Sequence, residues 1–283
     1  MQKITLRVYA KLNLTLDITG RDGGYHLLSS LCCSISPYDE ITVERVGGET
    51  VTLLCEGVDC PAEKNIAYRA AKAFQTEYGT GGAKITVKKG IPLCGGLGGS
   101  SADAVGVLVA LSRMYGKPVE HIVTALTSDG AFMLNGGAGL MQGRGERITP
   151  LPYGKLHFAL ITVNGGVSTA ECFRLSDEMP SLTPVTDRAA ALWKENPLRA
   201  AGLCKNELLP PAEELLPEIK NACREVAKTD AVAVSMSGSG STVFGVYESE
   251  EKAKHAVALL QQTYPQAVYA YSVPYGVEIV EEA

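Results

Sequence analysis

The glycine-rich run at residues 92–104 constrains the fold of this chain more than any other sequence feature. It begins with a proline, holds a Gly-Gly pair on each side of Leu97, and continues with Ser100 and Ser101. Glycine adopts positive φ freely and lets the backbone approach a ligand closely. Apolar residues at helical spacing follow over 101–115. The run is therefore predicted to be a loop that leads directly into a helix.

Such a loop is suited to binding phosphate. The first N–H groups of a helix lack partners, and the positive end of the helix dipole attracts anions. The run lacks the Gly-Lys-Ser/Thr of a Walker A motif and the G-x-G-x-x-G of a dinucleotide fingerprint. A flexible turn, with Ser100 or Ser101 as a plain helix cap, is the alternative interpretation.

The remaining pattern changes near residue 152. Before that point, alternating and helical spacings predict strands over 3–18, within 26–58 and over 83–87, and a helix over 65–78. After it, the predicted elements are a strand at 157–163, helices at 168–178, 186–203 and 210–228, strands at 231–235 and 242–247, a helix at 250–263 and a strand at 267–272. This order is typical of a ferredoxin-like layer. We therefore expect two closely packed domains, 1–152 and 153–283.

Composition excludes several classes of protein. Hydrophobic residues make up 46% and charged residues 20% of the chain, with a net charge of -5, which argues against disorder and against nucleic-acid binding. Residues 1–6 lack the apolar segment of a signal peptide, and no apolar run reaches the roughly 18 residues that a membrane span needs. The eight cysteines include no C-x-x-C pair and no zinc-type spacing with histidine. We expect free thiols in a cytoplasmic protein that is a monomer or a weak homodimer and has no membrane partner.

Several segments resemble the GHMP kinase superfamily, in the same order along almost the whole chain. The glycine run resembles that family's signature, a proline followed by Gly-Leu-Gly-x-Ser-Ser. The other matching segments are Ala10-Lys11-Leu12-Asn13-Leu14, Gly24-Tyr25-His26, Asn65-Ile66, Ser128-Asp129, Gly136-Gly137, Gly143-Arg144-Gly145-Glu146, Val167-Ser168-Thr169-Ala170-Glu171, Asn206-Glu207-Leu208 and Ser235-Met236-Ser237-Gly238-Ser239-Gly240. Each segment is a weak signal alone, but their common order is a strong one.

The resemblance implies an α+β fold of two domains with the active site in the cleft between them. The N-terminal domain would be ribosomal-protein-S5-like and would bind ATP, and the C-terminal domain would be ferredoxin-like. The resemblance also implies ATP as co-substrate with Mg²⁺. It places ATP against Asn65, Pro92, Gly95, Gly96, Leu97, Gly98, Gly99, Ser100, Ser101 and Ala102, with Ser101 also a candidate magnesium ligand.

Lys11 and Asp129 match the catalytic lysine and aspartate of the family. A carboxylate near an attacking hydroxyl accepts its proton, and a lysine can pair with that carboxylate. The alternatives are a lysine that points from a strand to solvent and an aspartate that caps a helix or turn. Asn13 lies two residues from Lys11, on the same face of the predicted strand. It is expected to bind substrate, although an ordinary polar strand face is equally compatible.

The resemblance further implies a site for a cytosine ring. Tyr25 and His26 match residues that hold the base, and Phe173 resembles an aromatic residue on its far side, with a place in the core as its alternative. Gly238, Ser239 and Gly240 are expected to form a second backbone cradle for substrate, facing the first across the cleft. A flexible hairpin is the alternative for that segment.

The activity expected from the resemblance is phosphorylation of the 2-hydroxyl of a cytidine diphosphate-linked methylerythritol, in the non-mevalonate route to isoprenoid precursors. A related kinase acting on another small alcohol is one alternative, and Gly24-Tyr25-His26 argues against it because such a kinase needs no base pocket. A nucleotide-binding protein that has lost catalysis is another. The presence of both Lys11 and Asp129 argues against that reading.

Overall fold

The structure, a computed structural model, describes residues 2–58 and 60–283. Its strands are β1 (Lys3–Asn13), β2 (Thr15–Asp22), β3 (Tyr25–Val46), β4 (Val51–Glu56), β5 (Gly82–Lys88), β6 (Ala138–Gly143), β7 (Arg147–Leu151), β8 (His157–Thr162), β9 (Lys205–Asn206), β10 (Ala233–Met236), β11 (Thr242–Tyr247), β12 (Val268–Tyr271) and β13 (Val277–Glu282). Its α-helices are α1 (Ile66–Tyr78), α2 (Gly99–Tyr115), α3 (Glu120–Leu126), α4 (Gly130–Asn135), α5 (Thr169–Ser176), α6 (Thr186–Trp193), α7 (Pro197–Ala201), α8 (Leu209–Leu215), α9 (Glu218–Ala227) and α10 (Glu250–Leu260). No helix among the described residues is both long enough and apolar enough to cross a membrane.

The long strand β3 organises the first sheet. It pairs antiparallel with β2 and then β1 along one edge, and with β6 and then β5 along the other. Helix α2 packs against β1 and β3, and α1 packs against α2. The apolar face of α1, formed by Ala67, Ala70, Ala71 and Phe74, is buried. This layer carries the glycine run at the N-terminus of α2.

The second sheet has the strand order β10-β11-β8-β12, and all its pairs are antiparallel. In chain order its members are therefore arranged 2-3-1-4. The helices α9 and α10 pack against this sheet. The ferredoxin-like layer expected from the order of elements is confirmed.

Two short strands join the layers and were not predicted. Strand β13 pairs antiparallel with β1, so the end of the chain returns to the first sheet. Strand β9 pairs in parallel with β2. Neither strand has the continuous apolar run that would have predicted it. Strand β13 lies at a sheet edge, and β9 spans only Lys205–Asn206. The division of the chain into 1–152 and 153–283 stays a prediction.

Three predicted elements are each two elements in the structure. The strand predicted over 3–18 is interrupted between Asn13 and Thr15. The helix predicted over 186–203 ends at Trp193, and a second helix begins at Pro197, where proline's missing N–H and fixed φ suit the first helical position. The helix predicted over 210–228 is divided in the same way next to Pro217. Apolar periodicity continues through these prolines, and for that reason the breaks were missed.

The close packing of α2 on the first sheet depends on Gly106. A Cβ atom at this position would lie 2.8 Å from Ile41 Cδ1 and 3.0 Å from both Leu6 Cδ1 and Val8 Cγ2. We therefore predict that Gly106→Leu lowers the free energy of unfolding by at least about 1–3 kcal/mol, since overpacking forces side chains and backbone to shift. Urea unfolding measures this change. The same residue introduced at the exposed Arg113 of α2 is the control and should cost less than about 1 kcal/mol; equal losses would contradict the packing argument.

Candidate active site

Strand β1 places Lys11 and Asn13 side by side on one face. Lys11 Nζ donates to Asn13 Oδ1 at 2.5 Å and lies 3.6 Å from Asp129 Oδ2. The lysine is buried, with 4% of its surface exposed, which excludes the solvent-facing alternative. Burial of an ammonium group is costly unless it is paired, and Asp129 and Asn13 supply the partners. The structure thus brings the predicted catalytic pair together.

The amide of Asn13 is fully engaged within the protein. Its Nδ2 donates to Ser30 Oγ at 2.8 Å and to Cys32 Sγ at 3.3 Å, while its Oδ1 accepts from Lys11. Burial raises the pKa of the Cys32 thiol to about 11, against the opposing effect of the Lys11 charge. The thiol is therefore a neutral partner. In this arrangement Asn13 orients Lys11, and its predicted contact with substrate stays a prediction.

Asp129 stands at the N-terminus of α4 without capping it. It occupies the N-cap position, but its side chain makes no hydrogen bond to the helix backbone. About a quarter of the side chain is exposed, and its contact is the ion pair with Lys11. The carboxylate is therefore accessible to a substrate hydroxyl.

The glycine run forms the N-terminus of α2, as predicted, but the helix begins earlier than expected. Gly98 is the N-cap residue, with φ 77°, and the helix starts at Gly99. Ser100 and Ser101 lie in the first turn, so neither serine caps the helix and that alternative is wrong. Glycine adopts this positive φ without strain, so Gly98 lets the chain turn into the helix at this point.

The backbone of the run is anchored through its carbonyl groups. Each carbonyl from Cys94 to Gly99 accepts a hydrogen bond, and the donors in chain order are Ser241 N, Thr242 N, Ser237 Oγ, Lys11 N, Ala102 N and Lys89 Nζ. By contrast, no residue that the structure describes accepts a hydrogen bond from the backbone N–H groups between Gly96 and Ser101. A row of free donors at a helix N-terminus is an anion-binding arrangement.

Lys89 supports the run by a hydrogen bond to its backbone, a contact that was not predicted from the sequence. Its Nζ donates to Asp39 Oδ2 at 2.5 Å, to Asp103 Oδ2 at 2.8 Å and to Gly99 O at 3.3 Å. Burial raises the pKa of Asp103 to about 7, although the Lys89 charge opposes the shift. Asp103, in the second turn of α2, is therefore a buried partner of Lys89. A lysine three residues before Pro92 was the available signal.

The second glycine segment, residues 237–241, touches the first directly. Ser237, Ser241 and Thr242 all donate to carbonyls of the first run, so no open cleft separates the two segments. Asn206 holds this segment, since its Nδ2 donates to Met236 O and Gly238 O, both at 2.7 Å. The sequence suggested no role for Asn206 beyond the resemblance.

The three predicted substrate residues of this segment differ in their surroundings. A Cβ atom at Gly238 would lie 3.5 Å from Lys11 Nζ, so this glycine adjoins the catalytic pair. The hydroxyl of Ser239 is 2.8 Å from that of Thr169. A Cβ atom at Gly240 would meet Met236 Sδ at 2.8 Å. Of these three residues, Gly238 is therefore the one that lies next to Lys11.

A cavity of about 460 Å³ opens beside the first run, lined by residues 56–57 and 88–93. It includes Pro92, one of the predicted ATP residues. Asn65, the residue expected near the adenine, caps α1 by accepting from Ala67 N at 2.9 Å. Gly95 and Ala102 flank the row of free N–H groups, and Ala102 is buried.

The residues predicted to hold a base lie at the β2–β3 hairpin. Tyr25 is 62% exposed, and the Arg144 guanidinium lies over one face of its ring, 4.4 Å from the centroid. His26 stacks on Phe173 with ring centroids 4.7 Å apart. This separation leaves no room for a base between His26 and Phe173, so the free face of Tyr25 is the open stacking surface.

The catalytic pair and the hairpin are joined by β3. Lys11 is opposite Ser34 in the pairing of β1 with β3, and His26 lies eight residues from Ser34 along that strand. At roughly 3.3 Å per residue, the separation along the strand is about 26 Å. Only an extended ligand reaches both places.

The chain was compared with known proteins. It matches the family model described as GHMP kinases N terminal domain over residues 65–137 and the model described as GHMP kinases C terminal over residues 190–266. A 4-diphosphocytidyl-2-C-methyl-D-erythritol kinase of Moorella thermoacetica is 36% identical, over 95% of this chain and 98% of the relative. One from Pseudomonas entomophila is 34% identical, over 93% and 91%.

Solved structures agree with these relatives. A crystal structure of 4-(cytidine 5'-diphospho)-2C-methyl-D-erythritol kinase has a TM-score of 0.79 and 30% identity, and the match covers 95% of this chain and all of the other. A homoserine kinase from Cytophaga hutchinsonii has a TM-score of 0.75 at 18% identity, which is a likeness of fold alone. The chain is therefore a small-molecule kinase with the two-domain GHMP fold. It belongs to the family of 4-diphosphocytidyl-2-C-methyl-D-erythritol kinases.

We predict that Gly98→Val abolishes ATP binding. Gly98 has φ 77°, which strains a β-branched residue, and its Cβ atom would also lie 2.3 Å from Met133 Cε and 3.3 Å from Lys11 Cγ. Relief of this strain shifts the run, and its N–H groups lose their alignment. Isothermal titration with ATP measures the loss. Gly116→Val is the matched control, because Gly116 has φ 65° at the other end of α2 and no atom near its Cβ position. Unchanged ATP affinity in Gly98→Val would contradict the assignment of the run as the phosphate-binding loop.

We predict that Asp129→Asn lowers kcat by about 10²–10⁴-fold, the usual contribution of a positioned base, while both substrates still bind. Lys11→Met should also lower kcat. The double variant should lose much less than the product of the single losses, since the two residues act as a unit. Asp230→Asn, at an exposed position, is the control. Near-normal turnover by Asp129→Asn would place the base elsewhere or show that none is needed.

Proposed function

We propose that this chain transfers the γ-phosphoryl group of ATP to the 2-hydroxyl of 4-diphosphocytidyl-2-C-methyl-D-erythritol. The single observation that carries the proposal is the Lys11–Asp129 pair beside the free N–H groups of residues 96–101. The activity of the named relatives, which match nearly the whole chain, supports it. The separation of the catalytic pair from the hairpin also supports it, because a nucleoside diphosphate-linked alcohol is an extended molecule.

In the proposed mechanism, Asp129 accepts the proton of the attacking hydroxyl as its oxygen bonds to the γ-phosphorus. The bond between that phosphorus and the bridging β–γ oxygen breaks, and ADP leaves. Lys11 stabilises the charge on Asp129 and on the transferred oxygens, because its Nζ is 3.6 Å from the carboxylate and its side chain runs beside Gly98 of the glycine run. Phosphoryl transfer needs positioning and charge neutralisation more than covalent help, and these residues provide both.

The N–H groups of residues 96–101 hold the phosphates of ATP in this proposal. The adenine and ribose extend toward the cavity at Pro92, with Asn65 at the start of α1 as the predicted contact. A cytoplasmic location is part of the proposal, because ATP is available there. A kinase for a simpler alcohol would have no use for the exposed ring of Tyr25.

Mg²⁺ is proposed as the cation that neutralises the β- and γ-phosphates. Among the described residues, no group of three or more His, Cys, Asp or Glu side chains could hold a metal ion. This fits Mg²⁺, which commonly takes one or two protein ligands and completes its shell with phosphate oxygens and water. Ser101, in the first turn of α2, is the proposed hydroxyl ligand.

The proposed activity is tested by incubating the purified protein with ATP, Mg²⁺ and a panel of alcohols. The panel contains the cytidine substrate, homoserine, mevalonate and galactose. We expect ADP release with the cytidine substrate alone, and phosphorus NMR of the product should show a new monophosphate ester at the 2-position. ADP release with another member of the panel, or with none, would refute the proposal.

We predict that Tyr25→Ala weakens binding of the cytidine substrate by about 10–100-fold, because one stacking partner of the base is lost. Binding of ATP should hardly change, since the glycine run and the cavity lie elsewhere. Titration of each ligand measures both effects. Tyr25→Phe keeps the ring and is the control, with near-normal binding. An equal loss for both ligands would mean that Tyr25 has only a structural role.

A further inference from the structure

The carboxylate of Asp177 holds the edge of the His26 ring. Asp177 Oδ1 is 2.8 Å from His26 Nε2. The other oxygen, Oδ2, forms an ion pair with Arg21, which is directly opposite His26 in the pairing of β2 with β3. The hydrogen bond from His26 is the main cause that lowers the pKa of Asp177, and Arg21 contributes. The carboxylate therefore stands between two side chains of one cross-strand pair.

Helix α5 contacts the same ring in two ways. Phe173 covers one face of the imidazole at a centroid distance of 4.7 Å and an interplanar angle of 22°. Asp177 is four residues later, at the C-terminal end of α5, and meets the ring edge. Residues at this spacing lie on one side of a helix. A single helix thus fixes both the plane of the ring and its rotation within that plane.

The contact also fixes where the proton of a neutral ring lies. An ionised carboxylate only accepts hydrogen bonds, so Nε2 must be the nitrogen that carries hydrogen. In the neutral ring Nδ1 is then an acceptor with a free lone pair. Among the residues described by the structure, none is hydrogen-bonded to His26 Nδ1. Its lone pair has no protein partner among these residues.

We propose that Asp177 is the positioning residue that gives the site its preference for cytosine over uracil, by holding His26 as an acceptor at Nδ1. Cytosine carries an amino donor at C4, whereas uracil carries a carbonyl acceptor there, as thymine does. An acceptor at Nδ1 bonds the amino group and repels the carbonyl. The ligand in this inference rests on the proposed function, but the position of the proton does not.

The first test needs no substrate. Nitrogen-15 NMR of the imidazole groups at about pH 8, where an ordinary histidine is neutral, distinguishes the two tautomers. The chain has four histidines, so a His26→Gln variant identifies the signals of His26. We expect hydrogen on Nε2 in the wild type. Asp177→Asn should give a mixture, because an amide group can either donate or accept. Hydrogen on Nδ1 in the wild type would overturn the proposal.

The second test compares two substrates that differ only in having cytosine or uracil as the base. Asp177→Asn should lower the ratio of their kcat/KM values by about tenfold, the worth of one hydrogen bond, through a higher KM for the cytosine substrate. A merely structural role would weaken both substrates alike. Asp177→Ala should behave in the same way, so the outcome does not depend on how the asparagine amide is oriented.

The matched control is Glu178→Gln. Glu178 is the next carboxylate along the chain and pairs with Arg174, away from His26. This variant should keep the wild-type tautomer and base preference. An unchanged base preference in both Asp177 variants would overturn the proposal. If the wild-type protein phosphorylates neither substrate, the proposed function fails, and the tautomer measured by NMR then decides whether Asp177 holds the proton on Nε2.

Discussion

The burial of the Lys11 ammonium group is the constraint on which the rest of the site depends. A charge inside the protein must be paired, and its partners come from separate parts of the chain, Asn13 on β1 and Asp129 before α4. The backbone of Lys11 also donates to Leu97 O in the glycine run. One residue thus ties the first strand to both the proposed base and the proposed phosphate site, so small movements of any of them leave a buried charge unsatisfied.

In the glycine run, the carbonyl groups and the N–H groups of the backbone have different roles. Its carbonyls are held by the protein, from the side by the 237–241 segment and from beneath by Lys89, while the N–H groups of residues 96–101 have no acceptor among the described residues. Fixing the carbonyls aligns the donors without occupying them. The loop is therefore arranged for anions before a ligand arrives, which reduces the ordering cost of binding. The glycines are flexible by themselves, but the hydrogen bonds to their carbonyl groups hold them in one conformation.

The hairpin at Tyr25 and His26 depends on a different kind of support. His26 is held by α5 of the second layer, through Phe173 and Asp177, whereas Tyr25 is held by Arg144, which precedes β7 of the first layer. The proposed base site is thus assembled from both layers, about 26 Å along β3 from Lys11. An extended acceptor is therefore needed to span the distance along β3 between the two sites.

The sequence by itself determined the local features of this protein: the glycine loop at a helix start, the amphipathic first helix and the ferredoxin-like order of the second half. These depend on neighbouring residues, and periodicity and glycine content report them directly. The resemblance to the GHMP kinases also singled out Lys11 and Asp129. Only the tertiary structure decided that Lys89 supports the run, that Asn206 holds the second segment and that β13 returns to the first sheet. These contacts join residues far apart in the chain, and their energies come from burial and pairing, which no local pattern of residues encodes.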